Sequence, residues 1–478
     1  MNKTKKTKIV ATIGPATSSE EMLTKLLREG MNIIRVNFSH GDFAEHQEKV
    51  DNLKKAIKKT GIPAAVMQDL SGPKIRTGDF EKGLIVLKEG QIFTLTTDKL
   101  VGNEEKVSVN YAPLPKEIQK GSSILLHDGK RKLEVVDIKG NNVICKVIVG
   151  GEIKNRRGIN LPGAHLSISS LADKDKKDLE FGIKNKVDFV AFSFARRASD
   201  IKELRALLDK AGRSETKIIA KVEDTEGLEN IDEIVALVDG VMIARGDMAI
   251  EIGAENVPMV QKSIIKKCNE LGKIVITATH MLESMIKSPV PTRAEVSDIA
   301  NAIIDGTDAI MLSEETTLGD FPLESVMVMS RVALKIENDP IYKEQIMDTQ
   351  RKKHASIGHV IADAVTNEVV DIANAVEAKA IISLTQSGFT ARMIARYKPL
   401  QTHIAMTPVL STYNQLLFTY GITPVLIKKV NTTTEIIALA RSYCAKNKIA
   451  GKGENVVISL GTPFGKKGMT NMILVEKI

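Results

Sequence analysis

A lysine and two carboxylic acids follow two neighbouring apolar runs near the middle of the chain. Lys221 and Glu223 follow Ile218-Ile219-Ala220, and Asp247 follows Val241-Met242-Ile243. Carboxylates at neighbouring strand ends can share one hard divalent cation such as Mg²⁺, which leaves most of its coordination to water and phosphate. The adjacent lysine adds positive charge where a phosphoryl group would lie. The pattern indicates metal-assisted chemistry on an anionic substrate, with a structural ion pair as the alternative.

Other polar residues also stand where predicted strands end. They are Arg35, Asn37, Asp69, Ser193, Arg245, Thr279 and Ser313. Active sites of (β/α)₈ barrels lie at the carboxyl ends of the strands, so this mixture favours a catalytic barrel mouth over a structural rim. Arg35 and Arg76 are rigid donor forks suited to phosphate oxygens, although either could form a surface ion pair. Thr279 and Ser313 could handle a proton, or could simply cap backbone groups.

The elements that must position these residues alternate along the chain. Short β-branched runs are separated by amphipathic stretches such as 45–60, 257–271 and 293–305, which predicts βα units on a parallel sheet. The predicted strands span residues 8–13, 32–37, 64–69, 188–193, 217–222, 240–244, 274–279 and 308–313. Eight strands close a TIM barrel.

The alternation breaks once and then resumes. Between residues 72 and 170 short, Gly-rich, hairpin-like strands predict a small all-β domain inserted after the third barrel strand. We therefore predict a catalytic barrel in two parts, 1–71 and 171–339, an inserted β domain at 72–170, and a C-terminal α/β domain at 340–478. The fold class is α/β.

Composition limits the cellular compartment and the classes of partner that we expect for this protein. The chain has 478 residues, 43% of them apolar, and its 67 basic and 59 acidic residues give a net charge of +8. No basic segment is interleaved with aromatics, which argues against nucleic acid. We expect no signal peptide, no membrane span and a cytoplasmic location, because no suitable apolar stretch occurs and three dispersed cysteines form no disulfide framework. The lysines at positions 3, 5, 6 and 8 predict a solvated basic terminus.

Motifs along nearly the whole length resemble those of the pyruvate kinases. They are Ala11–Pro15, Arg35–Gly41, Asp69–Gly78, Gly158–Gly163, Lys221–Gly227, Ala244–Asp247 and Ala278–Met285. The resemblance implies phosphoryl transfer from phosphoenolpyruvate to ADP, which yields pyruvate and ATP. It implies that the inserted domain is a small β-barrel lid that excludes water from the barrel mouth. It also implies a homotetramer.

The resemblance assigns roles to individual residues. Glu223 and Asp247 would bind Mg²⁺, or Mn²⁺, while Lys221 stabilises the moving phosphoryl group, Arg35 contacts phosphate and Thr279 belongs to the proton path. Backbone amides of the turn formed by Ala244, Arg245, Gly246 and Asp247 would receive the substrate carboxylate. The residues on the nucleotide side would be Thr12, Pro15, Asn37, His40, Arg76, Asp128 and Arg157.

One departure from the family concerns the monovalent cation. Asn37, Ser39, Asp69 and the Leu70 carbonyl match the family's K⁺ site, but Lys74 stands where K⁺-dependent members carry Glu. A tethered ammonium can supply the charge of K⁺, so we predict activity without K⁺; an ordinary exposed lysine is the alternative. The residues Glu314, His280 and Leu318 also depart from the family pattern, with an effect on rate and nucleotide affinity that the sequence leaves open.

A second phosphate site is predicted in the C-terminal domain. Thr385, Ser387, Gly388 and Thr390 follow a strand and open a helix, and the matching family segment binds the phosphate of a small-molecule effector. Without the resemblance, a plain helix cap would be the better interpretation. A late loop adds two positive charges, Lys466 and Lys467. The sequence does not identify the effector.

Two other functions compete with this hypothesis. A Mg²⁺-dependent lyase or aldolase acting through a pyruvate enolate would also place a glutamate and an aspartate after adjacent strands. The inserted domain and the Arg76 motif favour a nucleotide co-substrate instead. A non-catalytic metabolite sensor would use only the C-terminal domain, but Lys221, Glu223, Asp247 and Thr279 are all intact.

Overall fold

The computed structural model describes residues 5–351, 360–464 and 469–478. The chain begins with three strands and two helices: β1 (Lys8–Thr12), α1 (Glu20–Arg28), β2 (Ile33–Asn37), α2 (Phe43–Thr60) and β3 (Ala65–Asp69). The Ser19 and Asp42 side chains cap α1 and α2 by accepting hydrogen bonds from backbone amides of the first turn. Gly61, with a φ of 69°, ends α2 in the left-handed conformation that glycine adopts without strain.

The inserted region contains eight strands and one short helix. They are β4 (Leu84–Leu87), β5 (Ile92–Thr96), β6 (Lys106–Ser108), α3 (Leu114–Glu117), β7 (Ser123–Leu126), β8 (Arg131–Lys139), β9 (Asn142–Val149), β10 (Gly151–Lys154) and β11 (Ile159–Asn160). Six strands form one sheet in the order β11-β7-β8-β9-β5-β6, and β4 pairs only with β10. The expected small barrel is therefore refined to a six-stranded and a two-stranded sheet around one apolar core.

The second part of the barrel runs from α4 to α12. Its elements are α4 (Asp173–Asn185), β12 (Phe189–Phe192), α5 (Ala198–Lys210), β13 (Lys217–Val222), α6 (Thr225–Glu229), α7 (Ile231–Leu237), β14 (Gly240–Ala244), α8 (Arg245–Ile252), α9 (Val257–Glu270), β15 (Ile274–Ala278), α10 (Arg293–Asp305), β16 (Ala309–Leu312), α11 (Glu314–Thr317) and α12 (Pro322–Asn338). Short 3₁₀ turns span Ala254–Asn256 and Glu283–Ile286.

These strands close the barrel predicted from the sequence. The order is β1-β16-β15-β14-β13-β12-β3-β2, and every neighbouring pair is parallel. Each predicted barrel strand overlaps an observed one within two residues at either end. The register sets Asn37 opposite Asp69 and Thr12 opposite Arg35, so polar residues that end separate strands meet at one end of the barrel.

The C-terminal domain is a five-stranded sheet flanked by helices. Its elements are α13 (Pro340–Arg351), α14 (Val360–Ala375), β17 (Ala380–Leu384), α15 (Phe389–Ala395), β18 (Thr402–Thr407), α16 (Leu410–Leu416), β19 (Ile422–Leu426), α17 (Thr433–Lys446), β20 (Asn455–Leu460) and β21 (Met472–Lys477). The sheet order is β19-β18-β17-β20-β21. The sequence analysis did not predict β21, a half-exposed edge strand whose only sheet partner is antiparallel β20.

The C-terminal domain also fills the amino end of the barrel. Leu417 and Phe418 belong to the apolar cluster inside the barrel, and the Phe418 ring meets the Phe189 ring edge-on at 4.8 Å between centroids. Burial of aromatic surface with this geometry stabilises the contact between the two domains. The barrel interior is thus a packed core closed by another domain, which leaves only the carboxyl end of the strands open to a cleft.

Lys3 lies outside the described residues, but Lys6 and Lys8 differ from the expected solvated terminus. Lys6 Nζ donates to the carbonyls of Pro399 and Leu400 at 2.5 and 2.8 Å, and Lys8 Nζ donates to the Ile422 carbonyl at 2.8 Å. They hold the start of the chain to the C-terminal domain, because a buried ammonium must replace its lost water with protein oxygens. None of the helices within the described ranges combines the length and hydropathy that crossing a bilayer demands.

Candidate active site

Lys221 is the centre of a buried polar cluster at the barrel mouth. Its Nζ lies 2.7 Å from Ser193 Oγ and 3.2 Å from both Asp69 Oδ1 and Glu223 Oε1. Burial by itself would lower the pKa of Lys221, but the charges of Asp69 and Glu223 outweigh it and raise the pKa above its usual value. The ammonium is therefore kept charged and fixed in place at the edge of the cleft.

Arg35 shares the Asp69 carboxylate with Lys221. Its Nε donates to Asp69 Oδ2 at 2.6 Å and its Nη1 donates to Thr12 Oγ1 at 2.9 Å. Burial would raise the pKa of Asp69, but Arg35 and Lys221 bring it below its ordinary value. One buried carboxylate thus positions two cations side by side, which is the arrangement that a phosphate group requires.

Glu223 and Asp247 stand at the ends of the adjacent strands β13 and β14, as predicted. Glu223 Oε2 accepts from the Phe194 amide at 2.8 Å, and burial together with the charge of Asp247 raises the pKa of Glu223 to about 7 despite Lys221. A divalent cation would relieve this excess negative charge, so the pair fits a metal. No group of three His, Cys, Asp or Glu side chains suited to a metal occurs in the described residues. The two carboxylates suit an ion that takes its other oxygens from substrate and water.

In the turn after β14, the backbone amides lie toward the barrel mouth, whereas the side chain of Arg245 does not. The Gly246 amide donates to Thr279 Oγ1 at 2.8 Å, and that hydroxyl donates to the Ala278 carbonyl at 2.7 Å. The Arg245 guanidinium points away from the cleft and pairs with both oxygens of Asp298 at 2.6 and 2.7 Å. Thr279 holds a φ of 68°, a strained value for a β-branched residue. Backbone strain of this kind at a strand end indicates a functional role for the side chain.

The residues of the predicted monovalent-cation site lie together beside this cluster. Asn37 Oδ1 accepts from the Ser39 amide at 3.1 Å, and Lys74 Nζ donates to Ser39 Oγ at 3.2 Å. The Leu70 carbonyl accepts from Ser193 Oγ at 2.6 Å, so the hydroxyl next to Lys221 also touches this group. The Lys74 ammonium therefore lies within hydrogen-bond distance of an oxygen that the sequence analysis assigned to the cation site.

A cleft of about 500 Å³ separates the inserted domain from the barrel mouth. Its lining includes His40, Lys74, Arg76, Asp128, Arg157, Asp247 and Glu314. A direct contact crosses the cleft where Asn160 Nδ2 donates to Glu251 Oε1 at 3.2 Å. Burial is the main cause that raises the pKa of Glu251 to about 7. The lid and the barrel thus enclose a polar space lined by both basic and acidic side chains, Asp247 among them.

Several predicted residues lie outside this cleft. Pro15 is exposed, and the Ser313 amide donates to the buried carboxylate of Glu315 at 2.7 Å. His280 lines a separate cavity together with Arg245, and Leu318 is 59% exposed. Among the residues that depart from the family pattern, only Glu314 and Lys74 therefore line the cleft itself.

The predicted effector segment lies in the C-terminal domain. Thr385 is buried, Thr390 Oγ1 lies 2.7 Å from Thr470 Oγ1, and Gly388 adopts a φ of 78° immediately before α15. The Ser387 carbonyl accepts from Arg392 Nη1 at 3.2 Å. The two late-loop lysines, Lys466 and Lys467, lie outside the described residues.

Sequence reasoning missed three features of the site. Ser193 stood at a predicted strand end but received no role, although it joins Lys221 to the Leu70 carbonyl. Asn160 and Glu251 were not singled out, although they connect the lid to the barrel. The available signals were weak: Asn160 lies within the Gly158–Gly163 motif, and Glu251 follows Asp247 by one helical turn on α8.

The barrel, the cations Lys221 and Arg35 that share Asp69 at its mouth, and the charged cleft beside them place this chain among the barrel phosphotransferases. Family models for the barrel domain and the alpha/beta domain of pyruvate kinase match residues 4–326 and 363–476. The chain belongs to the pyruvate kinase family.

Individual relatives agree with this assignment. A pyruvate kinase of Clostridium perfringens is 45% identical over 477 residues, which are 99% of this chain and 100% of that protein. One of Geobacillus stearothermophilus is 43% identical over 99% of this chain and 80% of its own length. The crystal structure of a pyruvate kinase from Cryptosporidium parvum matches with a TM-score of 0.93 at 36% identity, covering 99% of this chain and 96% of that one. The kinase hypothesis therefore prevails over the lyase and sensor alternatives.

Proposed function

We propose that this enzyme transfers the phosphoryl group of phosphoenolpyruvate to ADP, giving pyruvate and ATP in the last step of glycolysis. The observation that carries the proposal is the Lys221 ammonium held by Asp69, Glu223 and Ser193 at the edge of the cleft. Phosphoryl transfer needs positioning and charge neutralisation more than covalent chemistry. A fixed cation beside an arginine supplies both.

In this proposal the chain's own residues do most of the positioning. Lys221 neutralises charge on the phosphoryl group as it moves, because a preorganised cation in a water-poor cleft stabilises the transition state more than the ground state. Arg35, oriented by Asp69 and Thr12, donates to phosphate oxygens. The amides of the Ala244–Asp247 turn receive the carboxylate of the substrate. The hydroxyl of Thr279, already fixed between Gly246 and Ala278, belongs to the path that protonates the enolate.

Glu223 and Asp247 would hold the divalent metal, for which we propose Mg²⁺, with Mn²⁺ as a substitute. When bound, this ion supplies Lewis-acid polarisation and charge neutralisation at phosphate and enolate oxygens. The raised pKa of Glu223 supports the assignment, since two carboxylates at adjacent strand ends repel each other until a cation lies between them. Ser313 is the weakest of the proposed catalytic residues, because only its backbone makes a contact near the cleft.

The nucleotide is proposed to bind between the barrel and the lid. Arg76, Asp128, Arg157 and His40 line the cleft, and Arg76 Nη1 donates to the Arg156 carbonyl at 3.1 Å, a contact within the inserted domain. Thr12, Pro15 and Asn37 complete the proposed nucleotide side. Closure of the lid over ADP would exclude water and prevent hydrolysis of the phosphoryl donor.

We further propose that Lys74 replaces K⁺. Its Nζ hydrogen-bonds Ser39 Oγ beside Asn37, Asp69 and Leu70, so a tethered ammonium stands close to the oxygens of the proposed cation site. Regulation by a phosphorylated effector at Thr385, Ser387, Gly388 and Thr390, and assembly as a homotetramer in the cytoplasm, are proposed from the family alone. The division into domains at residues 71, 170 and 339 is likewise a proposal.

The decisive experiment measures pyruvate and ATP formation from phosphoenolpyruvate and ADP with Mg²⁺ in K⁺-free buffer, and again with KCl at matched ionic strength. Full activity in both buffers is the expected result. Activity that appears only with KCl would retain the kinase and refute the role of Lys74. Absence of activity in both would overturn the proposed reaction.

A further inference from the structure

A second polar cavity lies far from the cleft, where the amino end of the barrel meets the C-terminal domain. It encloses about 330 Å³ and is lined by Ala236, Asp239, Leu271, Gly272, Lys273, Phe389, Arg392 and Met393. The first five come from the barrel and the last three from α15. A Cβ on Gly272 would lie 2.9 Å from Met393 Sδ, so the two domains approach closely beside the cavity. Its volume is within the range of small-molecule sites.

Two half-buried cations face this cavity without a carboxylate partner. Arg392 makes one hydrogen bond, from Nη1 to the Ser387 carbonyl at 3.2 Å, and Lys273 Nζ donates to the carbonyls of Ala236 and Val238 at 3.3 and 2.7 Å. Across the described residues neither side chain forms an ion pair. Burial lowers the pKa of both groups, the nearby charge of Asp239 offsets this only in part, and the charge of Arg392 lowers the pKa of Lys273 further. A partly buried cation without a counter-charge is costly, so an anion between the two would be stabilising.

Asp239, the one carboxylate of the cavity lining, does not fill this role. Its Oδ1 pairs with Lys217 at 2.9 Å, and its Oδ2 pairs with Arg205 at 3.3 Å and accepts from the Ile218 amide at 3.0 Å. The carboxylate is therefore already neutralised by two barrel cations. Lys273 and Arg392 line the cavity, and Lys217 and Arg205 pair with Asp239 behind it. These four basic side chains face one carboxylate, so the net charge of the group is positive.

We propose that this interdomain cavity is a binding site for a phosphoryl dianion, either inorganic phosphate or a small phosphomonoester. The planar guanidinium of Arg392 suits two phosphate oxygens, and Lys273 supplies a second charge from the other domain. The apolar side chains of Leu271, Phe389 and Met393 form a wall that would accommodate a compact carbon body. The site has one cation on each domain, so its occupancy binds the two together.

This site is distinct from the proposed effector segment, although the two are neighbours. The effector residues Thr385 and Thr390 are buried within the C-terminal domain, and Thr390 is engaged by Thr470. Arg392 touches that segment only through the Ser387 carbonyl. Lys273 belongs to the barrel, and its Nζ donates to the barrel carbonyls of Ala236 and Val238, which makes it the residue that separates the two sites by experiment.

The absence of tryptophan from the chain allows a direct test. Phe389→Trp places the only indole of the protein on the cavity wall. Inorganic phosphate and glycerol 3-phosphate are each titrated against NaCl at matched ionic strength, with indole fluorescence as the signal. We expect a saturable change with at least one phosphate probe and none with NaCl. The tighter probe distinguishes free phosphate from a phosphomonoester. An equal response to NaCl, or no saturation with either probe, would overturn the proposal.

Variants in the same background locate the site. Lys273→Gln and Arg392→Gln should each weaken binding about tenfold, the effect of losing one charge-assisted hydrogen bond. Ser387→Ala is the matched control, because Arg392 bonds the backbone carbonyl that alanine retains. Loss of binding in Ser387→Ala with full binding in Lys273→Gln would move the anion to the effector segment and refute the cavity. If Phe389→Trp does not fold, calorimetric titration of the unaltered chain against Lys273→Gln makes the same comparison.

Discussion

At the carboxyl end of the barrel strands, Lys221 and Glu223 lie beside the cleft, whereas at the amino end Lys8 and Asp308 face the C-terminal domain, which contributes Lys398. Lys398 Nζ lies 3.1 Å from Asp308 Oδ1, and Asp308 also accepts from the Tyr420 and Val275 amides at 3.2 and 3.0 Å. Asp308 is therefore bonded to groups of both the barrel and the C-terminal domain. At the mouth, by contrast, the carboxylate of Asp247 accepts no hydrogen bond from any residue that the structure describes, and burial, together with the charge of Asp247, raises the pKa of Glu223 to about 7.

The difference shows that burial of charge does not by itself mark a functional site. Both ends of the same strands carry buried lysines and aspartates, but the amino end is saturated by carbonyls and amides of the C-terminal domain. The mouth retains excess charge, which agrees with the proposal that its partners are a metal and a phosphorylated substrate. Substitutions at the two ends should therefore affect different properties.

The largest expected effect is on turnover at the mouth. Lys221→Met should lower kcat by at least about a thousandfold, roughly 4 kcal/mol, because it removes the cation that stabilises the transferring group. The methionine side chain is similar in size to the apolar part of the lysine side chain, so the fold should persist. Steady-state kinetics and the far-ultraviolet circular dichroism of the variant check both statements. Turnover within tenfold of the unaltered enzyme would remove Lys221 from the mechanism.

The next effect is on stability at the amino end. Asp308→Asn should lower the free energy of unfolding by about 3 kcal/mol, because the amide keeps the shape of the side chain but leaves Lys398 unpaired in a buried place. Denaturant midpoints measure this loss. Asp51→Asn, at an exposed ion pair with Lys54, is the matched control and should change stability by less than about 0.5 kcal/mol. Equal effects of the two substitutions would contradict the distinction.

A smaller effect sharpens the proposed role of Lys74 at the mouth. Lys74→Glu removes the tethered ammonium next to Ser39 and should make activity depend on K⁺, with about a tenfold loss in K⁺-free buffer that KCl restores. The assay compares KCl with a tetramethylammonium salt at equal ionic strength. If the variant is equally active in both salts, Lys74 is an ordinary exposed lysine and does not replace K⁺.

The smallest effect is on the pH dependence of stability, near the N-terminal lysines at the amino end of the barrel. Burial, followed by the charges of Lys6 and Lys8, lowers the pKa of His403 to about 3. Below about pH 6.5 the unfolded chain binds a proton at this residue that the folded chain does not, so stability falls as the pH drops. Between pH 7 and pH 6 the contribution is about 0.7 kcal/mol. His403→Gln should lose this part of the slope in thermal unfolding curves, and an unchanged slope would show that His403 titrates with the same pKa in the folded and the unfolded chain.

Much of the fold could be predicted because its helices and strands have recognisable local sequence patterns. The barrel strands are continuous apolar runs, since both of their faces are buried, and the helices between them carry apolar residues at helical spacing. The edge strand β21 was not predicted, although Met472-Ile473-Leu474-Val475 is an apolar run, because it pairs antiparallel with β20 and so lies outside the βα alternation from which the strands were predicted. The two-sheet arrangement of the lid was not predicted either, because strand partners in a hairpin-rich region depend on long-range pairing.

The sequence by itself determined the order of the βα units and the types of residue that end the strands, because periodicity and residue chemistry are local properties. Only the tertiary structure decided how those residues are used. It turned Arg245 away to Asp298, placed Ser193 between Lys221 and the Leu70 carbonyl, and buried the N-terminal lysines against the C-terminal domain. Each of these outcomes depends on a partner dozens to hundreds of residues away. Whether a charged side chain serves structure or chemistry is fixed by which partners the fold supplies and which it leaves to a ligand.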